Sequence, residues 1–414
     1  MAGYLQDERP LTLTCPLGPN RLFLVGLSGV EAVSRLFEFQ LDLLAENSTD
    51  VPFDQLLGRP ITAHVEAPGG HVRHFSGICN RIVQGGRDPD FTTYHATMVP
   101  EAWLLTRRTQ CRIFQQISVP DILKKVFADL PVQYLLQGKY EPRDYCVQYR
   151  ESDFRFASRL MEEEGIFYFF QHNEGDHKMI VADSPSAHKD VPFDPAVTYH
   201  ALEGSGVHED RLTVLEKAQD LRSMKVVLWD HCFEQPGKNL EAQQPIQDVV
   251  QVGQVAHKLK LGNPDRLELF DYPGSYAGRF DGVGPGREDR ASDVQKIFPD
   301  ADRTAKLRIE EEAADAVSLS GVSRFRQLTA GHVFTIKEHF NADGAYVLTS
   351  VSHDARMSGN YRSGGAGDVV YENAFTCIPR TVPFRPRRET PKPVVPGTQT
   401  AVVVGPKGEE GYTD

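Results

Sequence analysis

The segment spanning residues 145–170 constrains the fold more than any other part of the chain. It contains a strand pattern, a helix pattern that stops at Gly165, and a second strand pattern rich in aromatic residues. Ser152 or Asp153 can cap the start of the helix, and glycine readily adopts the left-handed conformation that ends helices. No metal-ligand set and no nucleophile lies in the segment, so we expect a framework element rather than an active site.

The predicted helix separates apolar from charged side chains. At 3.6 residues per turn, about half of its circumference is apolar, and this half carries Phe154, Phe156, Ala157, Leu160 and Met161. The opposite arc carries Arg155, Arg159 and Glu162. Residues 166–170 suit a buried strand, and a turn at residues 173–176 predicts a hairpin with residues 179–182.

Three successive carboxylates, Glu162, Glu163 and Glu164, lie at the C-terminal end of this helix. They should be destabilising there, because the helix dipole is negative at that end. We expect an exposed, charged helix end that Arg159 partly offsets. The alternative is a salt bridge to a neighbouring domain or subunit. An active-site carboxylate pair is disfavoured, because no matching acid, base or metal ligand lies nearby in the sequence.

Length and composition indicate a multidomain globular protein without disulfides. The 414 residues predict two to four domains, and hydrophobic and charged contents of 40% and 25% are ordinary. Six scattered cysteines without a CxxC motif indicate reduced thiols. A net charge of -12 disfavours binding to nucleic acid or to anionic membranes. No signal-peptide pattern and no membrane-spanning apolar run is found in the sequence.

The remaining patterns predict a mainly β chain with helical insertions. Short alternating strands around residues 37–43, 61–66 and 93–98 are typical of antiparallel barrels or sandwiches. Ser118 and Asp121 form a capping-box pattern before an apolar helical stripe, and residues 301–316 predict a solvated helix. Strands return at residues 333–338 and 346–353. Residues 379–396 hold six prolines and predict an extended, semi-rigid segment, after which residues 400–404 read as a new strand.

Patterns that would indicate chemistry are weak throughout the chain. Neither the histidine pair His71 and His74 nor the pair His332 and His339 has the spacing and third ligand of a metal site. Residues 282–286 are glycine-rich but lack the context of a phosphate loop, residues 341–344 lack the last acidic ligand of a calcium loop, and residues 26–30 are not a nucleophile elbow. We therefore predict no catalytic, cofactor-binding or metal-binding residues.

Two blocks of the chain resemble the hallmark of VgrG proteins, the spike proteins of the bacterial type VI secretion system. Residues 146–154 read Cys-Val-Gln-Tyr-Arg-Glu-Ser-Asp-Phe, and residues 159–166 read Arg-Leu-Met-Glu-Glu-Glu-Gly-Ile. Supporting segments lie in the expected order along the chain, at residues 118–123 before these blocks and at residues 271–274, 329–334, 384–386, 391–393 and 397–406 after them. The signature residues, taken as structural, are Gln148, Tyr149, Glu151, Phe154, Arg159, Leu160, Glu163, Gly165, Tyr168, Tyr272, Pro273 and Gly274.

The resemblance implies a mainly β fold with α+β insertions, in which two related β-barrels of phage tail hub type precede the first strand of an OB-fold. The implied divisions are residues 1–115 (first barrel), 116–185 (helices and signature hairpin), 186–316 (mixed insertion contributing to the second barrel), 317–378 (strands completing it), 379–399 (proline-rich linker) and 400–414 (start of the OB-fold). No needle is expected within this sequence.

The resemblance also implies a non-enzymatic homotrimer that docks on the hexameric Hcp tube. A PAAR tip protein and effectors would attach through a C-terminal part that lies outside this sequence. The protein would reside in the bacterial cytoplasm before firing and then enter a target cell without a signal peptide. Two alternatives stay open: a baseplate hub of a contractile phage tail, and a β-rich carbohydrate-active enzyme that uses Glu162, Glu163 or Glu164.

Overall fold

The computed structural model describes residues 4–6, 9–199, 211–280, 294–358, 368–398 and 400. The glycine-rich loop expected at residues 282–286 and nearly all of the strand expected at residues 400–404 lie outside the described residues.

The described residues form a mainly β structure. The strands are β1 (Leu11–Thr14), β2 (Phe23–Ala32), β3 (Glu38–Glu46), β4 (Pro60–Ala67), β5 (His71–Arg87), β6 (Phe91–Val99), β7 (Thr109–Ile117), β8 (Val132–Leu135), β9 (Arg143–Ser152), β10 (Phe167–His172), β11 (His177–Ala182), β12 (Ala196–Tyr199), β13 (Arg211–Gln219), β14 (Lys225–Leu228), β15 (Ala242–Pro245), β16 (Val249–Val252), β17 (Val255–Lys258), β18 (Glu268–Asp271), β19 (Val317–Ser323), β20 (Val333–Lys337), β21 (Gly344–Ser358) and β22 (Asp368–Pro379). The α-helices are α1 (Val119–Val126), α2 (Asp153–Glu164) and α3 (Ile297–Ala314). Short 3-10 helices span Phe53–Gln55, Pro68–Gly70, Glu101–Thr106, Pro185–Ala187, Pro264–Leu267 and Ala277–Arg279.

One large sheet organises the described chain. Its twelve strands follow the order β1-β4-β5-β6-β3-β2-β21-β20-β12-β13-β19-β22, and β21 also pairs with β22. The N-terminal and C-terminal strands of the sheet join directly where β2 pairs antiparallel with β21, from Gly26 opposite Arg356 to Ala32 opposite Ser350. Smaller sheets contain β10-β11-β8, β15-β14-β18, β16-β17 and β7-β9. Two separately closed barrels therefore stay a prediction.

Two large hydrophobic cores lie on either side of this junction. The first draws its buried side chains from residues 11–181 and also contains Ala355 and Tyr371. The second draws them from residues 191–382, including Leu348 and Phe375. The paired strands β21 and β22 thus contribute to both cores. Each fully buried large apolar side chain stabilises the fold by about 1.5–3 kcal/mol, so this shared strand pair links the two halves strongly.

The long helix α3 is more deeply buried than the sequence predicted. The alternating charges and alanines predicted a solvated helix, but seven of its side chains are buried, namely Ile297, Ala301, Thr304, Ala305, Ile309, Ala313 and Ala314. Alanine and isoleucine on one face pack into the second core, while the charged residues occupy the rest of the surface. The prediction was wrong because small alanines give a weak hydrophobic signal although they permit close packing.

Most other local predictions are confirmed. Ser118 caps the start of helix α1. Its Oγ accepts a hydrogen bond from the Asp121 N–H at 3.4 Å and donates one to the Asp121 carboxylate at 2.7 Å. The predicted hairpin joins β10 and β11, with Phe167 opposite Ala182. Five of the six cysteines are buried free thiols, and Cys111 is exposed.

Candidate functional site: the acidic end of the signature helix and the proline-rich segment

Both termini of α2 are defined by local sequence. The Ser152 Oγ accepts a hydrogen bond from the Arg155 N–H at 3.2 Å, as predicted for an N-cap. Gly165 ends the helix with φ +66°, and the next amide donates to the Met161 carbonyl at 2.8 Å. A Cβ at position 165 would lie 2.5 Å from a side-chain carbon of Leu307 in α3. Glycine is therefore required both for the left-handed turn and for the close approach of the two helices.

The start of α2 is held by a buried carboxylate. Asp153 is fully buried and accepts hydrogen bonds from Arg108, from the Arg112 Nη2 at 2.6 Å and from the Gln148 Nε2 at 2.8 Å. All three donors lie on or beside the strand pair β7–β9, which packs against the helix. These bonds fix the angle at which β9 turns into α2, since hydrogen bonds to charged groups are stronger than neutral ones.

Arg159 lies in a different environment from the one expected. The sequence placed it on the charged, outward arc, but its side chain is buried and donates to Glu151 at 2.8 Å and to the Val147 carbonyl at 2.6 Å. Its guanidinium also lies 4.9 Å from the centre of the Phe156 ring. The expectation was wrong because the long arginine stem turns back along the apolar arc, where the Glu151 carboxylate neutralises the buried charge.

The carboxylates at the other end of α2 are buried as well. Glu163 and Glu164 are only 7% and 6% exposed. Arg143 lies between them and donates to Glu163 at 2.6 Å and to Glu164, while Arg303 of α3 donates to Glu164 at 2.6 Å. The expected exposed helix end was therefore wrong. The alternative was a salt bridge to a neighbouring domain or subunit. Glu164 does pair with Arg303, whose helix α3 packs into the second core, and the division of the chain into domains stays a prediction.

Electrostatics keep these two carboxylates ionised. Burial alone would raise their pKa, but the positive charges of Arg143, Lys392 and Arg279 lower the pKa of Glu163 to about 2. The pKa of Glu164 is also lowered, since Arg143, Arg279 and Arg303 outweigh its burial. The same cations offset the unfavourable helix dipole at this end. Two carboxylates that both stay ionised cannot divide the roles of acid and base.

Residues 379–398, here called the proline-rich segment, cross this end of the helix. Arg385 anchors the segment with its guanidinium. It donates to Glu310 of α3 at 2.8 Å, to the Gly165 carbonyl at 2.9 Å and to the Asp183 carbonyl at 2.7 Å. One side chain thus joins the segment, both helices and the end of the β10–β11 hairpin. A guanidinium suits this task because its donors form a fixed fork.

Further contacts hold the segment beyond Arg385. The Thr390 N–H and hydroxyl donate to the two oxygens of Glu162 at 2.9 and 2.7 Å. The Lys392 Nζ lies 3.4 Å from Glu163. The Arg388 N–H donates to Glu311 at 3.2 Å. The acid triplet of α2 therefore receives donors from the proline-rich segment, besides the guanidinium groups of Arg143 and Arg303.

Glu162 is the member of the triplet with the most exposed surroundings. It lines a cleft of about 380 Å³ between α2 and the proline-rich segment, together with Ser158 and Arg385. Burial raises its pKa, and the two hydrogen bonds from Thr390 counteract this effect. Because Thr390 occupies both carboxylate oxygens, Glu162 serves as an acceptor that holds the segment.

The structure divides the predicted signature residues into two groups. The first surrounds α2 and consists of Gln148, Tyr149, Glu151, Phe154, Arg159, Leu160, Glu163, Gly165 and Tyr168. The second, Tyr272, Pro273 and Gly274, follows β18 on another sheet, where the Tyr272 ring lies 5.6 Å from Trp229. A Cβ on Gly274 would lie 2.3 Å from the Tyr276 ring. The structural roles of both groups stay predictions.

Sequence reasoning missed the cationic partners of α2, which are Arg108, Arg112, Arg143, Arg303, Arg385 and Lys392. A signal was present for two of them, since Arg385 and Lys392 lie in a basic, proline-rich segment that could complement an acid triplet. Arg303 gave no such signal, because 139 residues separate it from Glu164 and its helix was expected to be solvated.

The described residues contain neither a candidate metal site nor a helix that could cross a membrane. Among them, no group of three or more histidine, cysteine and acidic side chains could hold a metal ion. No helix in the described ranges is both long and apolar enough to cross a membrane.

Comparison with known proteins identifies related chains. The profile of the phage tail baseplate hub (GPD) family matches residues 30–359. The spike proteins VgrG1c and VgrG1a of the type VI secretion system of Pseudomonas aeruginosa are each 36% identical over 99% of this chain. The matches cover 53% and 60% of those proteins, so the chain spans little more than half of their length. The predicted resemblance to VgrG proteins is confirmed.

A solved structure supports the same fold. The E. coli c3393 protein, described as a component of the type VI secretion system with structural similarity to the T4 phage tail proteins gp27 and gp5, matches with a TM-score of 0.61. The match covers 93% of this chain and 82% of that chain, at 17% sequence identity. The predicted mainly β fold of phage tail hub type is confirmed.

Proposed function

We propose that this chain, which belongs to the phage tail baseplate hub family, forms the base of a type VI secretion spike. The similarity to VgrG spike proteins over 99% of the chain supports this role. The spike base would be a mechanical part that carries load and performs no chemistry.

The proposal rests on how the charged residues of α2 are paired. Asp153, Glu163 and Glu164 are buried and each receives guanidinium donors. Breaking one partner out of a buried ion pair is strongly destabilising, so such an arrangement favours one rigid geometry. A part that transmits force between a tube and a needle needs that rigidity where its segments meet.

The architecture would consist of two barrels that share strands β21 and β22. The first barrel would contain β1 to β6, the C-terminal part of β21 and the N-terminal part of β22. The second would contain β12, β13, β19 and β20 with the remaining parts of β21 and β22. The two separate hydrophobic cores and the contribution of β21 and β22 to both support this division. The proline-rich segment would then lead from the base to an OB-fold that starts near residue 400.

Three such chains would form a ring that docks on the hexameric Hcp tube. The two barrels per chain would give the trimer a pseudo-sixfold face that matches the tube. A PAAR tip and effectors would attach through regions C-terminal to this sequence. The protein would be held in the bacterial cytoplasm until firing and then be delivered into the target cell.

The assembly can be tested by measuring native mass. We expect a concentration-dependent trimer, and a more stable trimer when the chain is extended through a needle, since obligate interfaces typically bury about 2,000 Å² or more. Native mass spectrometry of both forms with added Hcp would detect a complex of three chains with an Hcp hexamer. An extended form that stays monomeric at micromolar concentration would contradict the proposal.

A baseplate hub of a contractile phage tail is the second candidate. The fold similarity of the matched E. coli structure to phage tail proteins favours it. Genes beside the coding sequence discriminate the two: sheath, tube and ATPase genes of secretion support the spike, and capsid genes support the phage hub.

The hypothesis of a carbohydrate-active enzyme is disfavoured because its three candidate acids already bind partners within the protein. Retaining and inverting glycosidases place one protonated and one ionised carboxyl group at the sugar. Here Glu163 and Glu164 are buried against Arg143, and both oxygens of Glu162 accept hydrogen bonds from Thr390. Sugar turnover that disappears in Glu163→Gln, in a monomeric protein, would reverse this conclusion.

A further inference from the structure

A chain of hydrogen-bonded polar side chains crosses the junction between the two cores. In order, it consists of Ser323 of β19, Asn373 and Tyr371 of β22, His353 of β21 and Glu31 of β2. These residues are at most 2% exposed. Phe325, at one end, belongs to the second core, and Phe75, 5.0 Å from the His353 ring, belongs to the first. Burying polar groups is costly unless they are hydrogen-bonded, so the directions of these bonds determine what the chain can do.

The hydrogen bonds at the β19 end have only one possible direction. The Ser323 Oγ accepts from the Phe325 N–H at 3.3 Å, and its hydrogen donates to the Asn373 Oδ1 at 2.7 Å. The Asn373 Nδ2 donates to the Phe325 carbonyl at 2.8 Å, which fixes the orientation of the amide because a carbonyl only accepts. The same Nδ2 donates to the Tyr371 hydroxyl at 3.1 Å. The Tyr371 oxygen is therefore an acceptor from Asn373, and its own hydrogen points elsewhere.

These directions fix the protonation state of His353. In the described part of the chain, the remaining neighbour of the Tyr371 hydroxyl is the His353 Nδ1 at 2.6 Å, so this nitrogen accepts and carries no hydrogen. The Nε2 of the ring donates to the Glu31 carboxylate at 3.1 Å. His353 is thus a neutral imidazole. A second proton, on Nδ1, would leave the Tyr371 hydroxyl hydrogen without an acceptor among the described residues.

The charges around the ring oppose a second proton as well. Among the described side chains, Glu31 is the one carboxylate within ion-pair distance of His353, and the Arg73 guanidinium of β5 already neutralises it at 3.1 Å. Burial lowers the pKa of His353, and the attraction of Glu31 only partly offsets this effect. The other titratable groups that face this pair are neutral or positive, namely Tyr371, His172 of β10, 3.5 Å from Glu31, His332, which precedes β20, and Arg326, 5.9 Å from the centre of the Tyr371 ring.

We propose that this chain of side chains is an acid-sensitive latch between the two cores. While His353 is neutral, the latch joins β19 and β22 to β2 through hydrogen bonds that all point towards Glu31. When the ring takes up a second proton, the hydrogen bond from Tyr371 is lost and the pairing of β2 with β21, where Gly29 lies opposite His353, loosens. The latch goes beyond the proposed spike function and does not depend on it, because it requires only these internal contacts.

The latch predicts how the unfolding equilibrium responds to acid. A histidine whose pKa is lowered in the fold contributes stability above pH 6.5, its ordinary pKa, and this contribution is lost as the pH falls below that value. Between pH 6.5 and about pH 4.5, this one site should raise the unfolding constant by up to about 100-fold, since each pH unit contributes a factor of about ten. His353→Gln provides an acceptor oxygen and an N–H donor but cannot be protonated, so its pH profile should lack this increase.

His231→Gln is the matched control, because His231 is exposed, and its profile should follow that of the unmodified protein. Hydrogen exchange should show that the protection of β2 and β21 falls between about pH 7 and about pH 5, while the β10–β11 hairpin stays protected. His353→Gln should abolish this selective loss. A profile of His353→Gln parallel to that of the unmodified protein, or a uniform loss of protection along the chain, would overturn the proposal.

A measurement on the unmodified protein decides the outcome if His353→Gln fails to fold. Nitrogen-15 NMR of histidine-labelled protein distinguishes a neutral ring with its hydrogen on Nε2 from a doubly protonated ring. The latch requires the neutral form of His353 in the folded protein at about pH 5.5. A doubly protonated His353 at this pH in a protein that keeps the protection of β2 and β21 would contradict it.

Discussion

The two ends of helix α2 use the same chemistry for different purposes. At its start, the buried Asp153 is held by Arg108, Arg112 and Gln148, all within 45 residues of it. At its end, Glu164 is held by Arg303, 139 residues away, and Glu162 by Thr390, 228 residues away. The first set fixes a helix to its own strand pair, whereas the second joins distant parts of the chain.

This difference indicates which contacts of α2 depend on the complete fold. Local ion pairs at the start can form as soon as β7, β9 and α2 meet. At the end, the pairs with Arg143 of β9 are local, but the contacts with Arg303, Thr390 and Lys392 require α3 and the proline-rich segment. These contacts form only when both cores are in place. We therefore expect substitutions at the end of α2 to affect the whole fold and substitutions at the start to act more locally.

The largest effect is expected for Arg143→Met. This substitution removes the partner that Glu163 and Glu164 share and leaves them only Lys392 and Arg303. Removing one partner from a buried ion pair destabilises proteins by about 3–5 kcal/mol. Arg108→Ala at the other end is the control, because its side chain is 44% exposed and Asp153 keeps Arg112 and Gln148. Chemical denaturation should show that the control loses at most about 1 kcal/mol of its free energy of unfolding. Equal losses would remove the distinction between the two ends.

The second-largest effect is expected when the pH is lowered, which should destabilise the contacts at the end of α2. The pKa of Glu163 is about 2 in the folded protein, below its ordinary value of 4.5, so its contribution is complete above pH 4.5 and is lost as pH falls towards 2. A difference of this size corresponds to about 3 kcal/mol. The free energy of unfolding should fall less steeply over this range in Glu163→Gln than in the unmodified protein. Parallel pH profiles would show that the carboxylate is not held as described.

Arg385→Ala should have an intermediate effect. It removes three hydrogen bonds from a guanidinium that is only 13% exposed, and we expect a loss of about 2 kcal/mol. The matched control is Arg35→Ala, whose pair with Glu389 is long, at 3.8 Å, and exposed. In thermal unfolding, the stability of this control should stay within about 0.5 kcal/mol of that of the unmodified protein. A control as destabilised as Arg385→Ala would mean that the segment is held by surface charge alone.

The smallest effect is expected at the N-cap. Ser152→Ala removes one acceptor from the first turn of α2 and should cost about 1 kcal/mol. Ser152→Asn keeps a capping acceptor and should restore most of the lost stability, as measured by urea denaturation. No difference between the two variants would contradict the assignment of Ser152 as the cap.

The sequence predicted those features of α2 that depend on neighbouring residues. The cap at Ser152, the stop at Gly165 and the hairpin that follows are determined by local backbone preferences, which a sequence displays directly. The burial of Arg159 and of the acid triplet depends on partners that only the tertiary fold brings close. For the same reason, the contacts of Arg303 and Thr390 could not be read from their own surroundings in the sequence.

Hydrogen exchange of the proline-rich segment tests the central claim most directly. If the acidic ends of α2 and α3 anchor this segment, the backbone amides of Thr390 and Arg388, which donate to Glu162 and Glu311, should exchange slowly. In Arg385→Ala their protection should fall, while amides of β10 stay protected. Amides at 388 and 390 that exchange at the rate of an unstructured peptide in the unmodified protein would contradict the account.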